Sequence, residues 1–132
     1  MRLLRGLALA AALAGGLAGC LARIVPLVIE ERLDARAFEL VCDQVRLRYG
    51  PLDLADESEF RVQSGWANAN ERGRVMRRRA TLFRESPDRL AIVVEESLLT
   101  GNLLGEPHWT TPQPVARLER ELATAIDAVL GP

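Results

Sequence analysis

The chain has 132 residues, a formal net charge of −1 and no lysine, so its 17 basic residues are all arginine. Basic and acidic residues nearly balance, which speaks against nucleic acid as a partner. Without the nineteen residues read below as a signal, 113 remain, enough for one domain with its own core.

Arg2 and Arg5 form a short positive start, Gly6 to Leu17 an apolar run, and small residues lead into Cys20. The sequence Leu17-Ala18-Gly19-Cys20 resembles the lipobox of bacterial lipoprotein signal peptides at every position. That resemblance implies cleavage of residues 1–19, diacylation of the Cys20 sulfur with palmitate-type chains, and acylation of the new amino group. Each methylene buried in the bilayer contributes about 0.8 kcal/mol, so several chains on one residue anchor far better than one. An ordinary secretory signal with a chance cysteine, or an uncleaved membrane helix, are the alternatives. The second suffers from an Ala- and Gly-rich run slightly short of the ~20 residues a span requires. Leu21 follows the cysteine. Asp there resembles an inner-membrane retention signal, so its absence implies the periplasmic face of the outer membrane in a Gram-negative cell. Residues 20–31 then read as an apolar tether, "LARIVPLVIEE" from Leu21, expected to pack on the domain as an edge strand or else to lie on lipid.

Residues 32–132 read as a single α+β domain. From Leu33 to Tyr49, Ala37, Phe38, Val41, Cys42 and Val45 share one helical face, and Gly50-Pro51 stops the helix. Cys42 is expected to be a small buried hydrophobe, since acylated Cys20 leaves it no intramolecular partner. "LDLADESE" reads as an acidic loop. The period then becomes two. In "FRVQSGWA", Phe60, Val62, Ser64 and Trp66 fall on one face, with Arg61 and Gln63 on the other. "NANERG" reads as a turn, "RVMRRRATLFRE" as a second strand, Ser86 to Asp88 as a tight turn, and "RLAIVVEE" as a third strand. "SLLTGNLLGEPHWTTPQP" reads as a long connection, too apolar to leave the domain surface. Thr111 is expected to cap a helix with Pro112 at its first position. Val115, Leu118, Leu122, Ala125, Ile126 and Val129 form its stripe, Arg117 and Glu121 an outer pair, and Gly131 its end.

The expected architecture is therefore a two-layer sandwich: helix, three-stranded antiparallel meander, helix, with both helices on one face of the sheet. Element order and a strand ending near Gly65-Trp66 loosely resemble the small helix-grip domains of outer-membrane accessory lipoproteins of the BamC type. That resemblance implies an envelope-assembly role and transfers no functional residue.

Catalytic signals are sparse. His108 is the single histidine, too few for a zinc site, and its spacing to Ser97 and Glu106 recommends no triad. "TGNLLGE" lacks the lysine of a phosphate loop. No catalytic residue, metal or cofactor is expected, and the chain is not expected to be an enzyme. The unusual run is "RVMRRRA". Strand alternation turns Arg78 toward the helices and Arg77 and Arg79 away. With Arg61 and Arg89 they give an Arg-rich sheet face, interleaved with Phe83, Ala91 and Val93. Such a face is either solvated or a binding surface for an acidic partner: an envelope protein, a lipid phosphate or peptidoglycan carboxylates. The competing function is a lipid or glycolipid carrier, holding its ligand between sheet and helices.

Overall fold

The computed structural model describes residues 3–5, 26–101 and 103–131. Its elements in chain order are strands β1 (Leu3–Arg5) and β2 (Leu27–Glu30) and helix α1 (Ala35–Tyr49). Strands β3 (Leu52–Asp56), β4 (Arg61–Ser64), β5 (Ala67–Glu71), β6 (Arg74–Ser86), β7 (Arg89–Gly101), β8 (Pro107–Trp109) and β9 (Gln113–Pro114) follow, and helix α2 (Ala116–Leu130) closes the order.

The α+β class is as the sequence indicates, but the sheet is much larger than a three-stranded meander. Nine strands join in the order β1-β2-β7-β6-β4-β3, with β5 also on β6 and with β8 and β9 also on β7. Every pairing is antiparallel. The long β6–β7 hairpin is its spine. On one side β7 pairs successively with β2, β9 and β8; on the other, β6 pairs with β4 and then β5.

The extra strands come from segments whose sequence hides them. "LDLAD" in the acidic loop is a mostly exposed edge strand, where burial does not demand apolar residues. Most of "NANERG" is strand; the turn is only Arg72-Gly73, whose φ values of 53° and 76° suit a two-residue hairpin that follows the twist of the sheet. The long connection is in fact the end of β7 with β8 and β9; Pro107 and Pro114 lie in these edge strands, where a missing donor is tolerated, and Pro112 lies between them. Leu27–Glu30 of the tether is a strand of the sheet, packed on the domain. Cys20 and the lipobox lie outside the described residues.

Helix α1 stops at Gly50 as expected, but it starts at Ala35, with Asp34 capping it and not lying on its polar face. The Asp34 carboxylate accepts from the Ala37 amide at 2.8 Å, and Gly50, at φ 81°, donates to the Arg46 carbonyl. Helix α2 corrects the expectation for Thr111 and Pro112. Gln113 and Pro114 are held in β9, and the Val115 amide donates to the Val94 carbonyl at 2.8 Å, so the helix starts only at Ala116. That region of β7 falls between the reach of β2, which ends opposite Ile92, and of β9, which begins opposite Glu95. The bare Val94 amide there donates to the buried Glu119 carboxylate of α2 at 3.3 Å.

The core fills the layer between helices and sheet. Val41 and Val45 of α1 and Leu122 and Ile126 of α2 meet Val62, Leu82, Ile92 and Val94, all fully buried. Cys42 is buried among them, as expected, and burial pushes its thiol pKa up. Phe60 packs edge-on against Phe38 with ring centres 5.3 Å apart. It does so at φ 48°, a conformation unfavourable for an aromatic residue and held here by burial.

One local irregularity decides the geometry of the candidate site. Gln63 faces Thr81 and Ala67 faces Arg78, so three residues, Ser64 to Trp66, stand opposite only two, Arg79 and Ala80. This is a β-bulge, and it reverses the facing of everything after it. Trp66 therefore points away from the helices, not onto the face of Phe60, Val62 and Ser64. The bulge is stitched by the Ala80 amide donating to Ser64 Oγ at 3.0 Å. A Cβ at Gly65 would lie 3.2 Å from Asp53 Oδ1, so the Asp53 carboxylate would have to shift slightly to admit one.

Candidate functional site

The face of the sheet opposite the helices carries the arginines singled out from the sequence. Alternation along β6 turns Arg77 and Arg79 to this face and Arg78 to the other. Beyond the bulge, Trp66 arrives beside both. Trp109 comes from β8, which pairs with the end of β7 through Leu99. The Arg77 guanidinium carbon lies 4.6 Å from the Trp66 ring centre and 4.5 Å from that of Trp109. That of Arg79 lies 4.5 Å from Trp66. The four side chains thus stack in the order Trp109, Arg77, Trp66, Arg79.

Each contact places a cation against the negative face of an indole ring. The stack also explains how neighbouring like charges on one strand coexist. Arg79 additionally pairs with Glu95 at 3.1 Å. Arg77 has no carboxylate partner among the described residues; its charge is met by the two rings. The Nε atoms of Arg77, Arg79 and Arg89 are shielded from water and have no hydrogen-bond partner among the described residues.

Of the other two predicted site residues, Arg61 is exposed at the start of β4, opposite Phe83, and Arg89 is half-buried at the start of β7, opposite Glu30. Arg77 and Arg79 are therefore brought together, while Arg61 and Arg89 sit further along the same face. Glu30 and Glu95 bring negative charge into the surface, so it is less uniformly basic than arginines alone suggest. Val28, Ala91 and Val93 form a buried apolar strip on this face. Sequence reasoning missed the two tryptophans as part of the site. The available signal was Gly65 inside a strand pattern, a mark of a bulge.

Arg78 makes a second cluster on the helix side. It binds Glu71 and Glu96, each at 2.9 Å, and Arg117 joins Glu71 at 3.6 Å and Glu121 at 3.2 Å. Burial pulls the Arg78 pKa down, but the hydrogen bonds to Glu71 and Glu96 outweigh it and hold it above its ordinary value. The Arg78 hydrogen bond lowers the Glu71 pKa. At the opposite end of the domain, Glu31 is raised to about 7 by partial burial and by its hydrogen bond to, and repulsion from, Asp127.

No catalytic constellation is assembled from the residues considered for one. The Ser97 hydroxyl is buried and donates to the Thr110 carbonyl, whereas His108 is exposed and lies 3.3 Å from Thr100 Oγ1. Among the described residues no group of His, Cys, Asp and Glu is placed to hold a metal, and no helix is long and apolar enough to cross a membrane. Comparison with protein-family models, curated proteins and solved structures finds no match to this chain.

Proposed function

We propose that the chain is an envelope lipoprotein, anchored through Cys20 on the periplasmic face of the outer membrane, that binds or scaffolds an acidic envelope component rather than catalysing a reaction. The binding surface is the sheet face bearing Arg61, Arg77, Arg79 and Arg89. The observation that carries the reading is the Trp109–Arg77–Trp66–Arg79 stack. A guanidinium held against two rings is pre-organised, so it loses little further freedom on binding a carboxylate or phosphate. Close packing of Val41, Val45, Leu122 and Ile126 on the sheet favours this reading over a carrier, which needs room between the layers.

The test is salt-dependent capture of partners by the membrane-anchored protein, comparing wild type with Arg61→Glu, Arg89→Glu and Arg77→Lys. Charge reversal at Arg61 and Arg89 is expected to reduce capture. Arg77→Lys keeps the charge but loses the flat, forked stack, and is expected to reduce it as well. Undiminished capture by all three folded variants would reject the face as the binding surface. Co-purified lipid in place of a captured partner would favour the carrier.

A further inference from the structure

Among the described residues, the most exposed large apolar side chains are Leu103 (106% exposed) and Leu104 (83%), at the tip of the β7–β8 hairpin. Side chains this exposed add nothing to the core, and polar residues would serve the turn. Their surroundings are equally specific. Met76 faces Leu98 across the β6–β7 pair, so the β5–β6 turn reaches the same pole of the sheet as the leucine tip. That turn brings Arg72 and Arg74, both exposed and without an ion pair among the described residues. Val75 and Leu99, 41% and 38% exposed, extend the apolar surface behind the tip. Glu106 stands at the foot of the loop and is outnumbered by the two arginines.

The direction of the chain supplies an independent argument. Leu27 faces Ile92 and Glu30 faces Arg89. The chain therefore enters β2 from the side on which β7 runs on toward Gly101 and the leucine tip. Six residues lie between Cys20 and Leu27, and the seven steps joining the two can span at most about 25 Å. A lipid anchor at Cys20 would thus join the domain through a strand end that points toward this pole.

We infer that this pole docks on the bilayer surface: Leu103 and Leu104 insert below the headgroups, while Arg72 and Arg74 meet anionic phosphates. Apolar insertion combined with basic residues at the interface is how peripheral proteins bind anionic membranes, and a single-point anchor gains a fixed orientation from such a second contact. The inference takes its tethering direction from the anchor proposed above. It adds that the domain lies against the membrane instead of swinging on a tether.

The full chain carrying Leu103→Cys, labelled with a nitroxide and reconstituted in vesicles containing phosphatidylglycerol, tests this. Cys42 is only 1% exposed and does not compete for label, and the parent chain serves as the label blank. Leu47→Cys, at an exposed site on α1, is the water-facing control. The label at 103 is expected to be more accessible to oxygen than to a polar nickel complex, and the label at 47 the reverse. Arg72→Glu with Arg74→Glu should return the 103 label to the profile of the 47 label. Flotation of the same sample scores the anchor separately. A chain that floats with its 103 label in water overturns the docking alone; a chain that fails to float overturns both readings. A 103 label shielded from both reagents would mean a protein pocket and would also overturn the docking.

Discussion

Arg77 shows how one side chain can change its meaning between sequence and structure. In the sequence it is one of three consecutive arginines on a strand, and replacing it looks neutral. In the fold it is the cation between two indole rings. Cation–π contacts are worth about 0.5–1 kcal/mol each when exposed and about 2 when desolvated. Arg77→Gln is therefore expected to destabilise the domain by about 1–2 kcal/mol in denaturant titration. Arg61→Gln, at an exposed position, should stay within about 0.5 kcal/mol. Equal effects of the two would mean that the stack contributes nothing to folding. Glu31 gives a pH prediction at the same scale. Its pKa in the fold is near 7 against an ordinary 4.5, so the folded state binds its proton more tightly than the unfolded chain does. Its contribution to stability is therefore complete below about pH 4.5 and is lost as the pH rises through 7. Glu31→Gln should flatten the fall in thermal midpoint between pH 5 and pH 8; an unchanged slope would place the proton elsewhere.

At the scale of elements, what burial dictates could be read from the sequence and what edge geometry dictates could not. Helix α1 was legible because five apolar residues share a face ahead of the Gly50 stop, while the Asp34 cap that sets its start reads in the sequence as part of the polar face. The β6–β7 spine was legible from alternation. Strands β3, β5, β8 and β9 were not, because short or exposed edge strands carry little apolar pattern and two of them contain proline. The facing of Trp66 was lost for a different reason: one extra residue at a bulge reverses alternation without altering composition. Half of the candidate site, the arginines, could be seen in advance, while the tryptophans that organise it depend on that bulge and on β8. Helix α2 was legible in its stripe but not in its start, which β9 delays to Ala116. Leu122 is fully buried in that stripe, and Leu122→Ala should cost about 2–5 kcal/mol in chemical unfolding. A cost below 1 kcal/mol would mean that α2 is not packed on the sheet as described.

For the whole molecule, the sheet has two working faces and two unlike poles. One face builds the core against both helices; the other carries the Trp–Arg stack. One pole bears the exposed leucines with Arg72 and Arg74, and the other bears the Glu31–Asp127 pair. This asymmetry suits a domain that is held at one end and presents a face sideways to a partner. Strand β1 pairs with the outer edge of β2 and lies within the segment proposed to be cleaved. Removal of that segment would leave β2 as an edge strand, guarded by Pro26 before it and Glu30 at its end. All of this depends on where the mature chain begins and what it carries there. Intact-mass analysis of the protein extracted from membranes decides that most directly. The account predicts a chain that starts at Cys20 and bears three acyl chains, and it predicts that Cys20→Ser yields uncleaved precursor or loss from the membrane fraction. A membrane-bound protein with an intact Met1, or one cleaved elsewhere and without acyl mass, would contradict it.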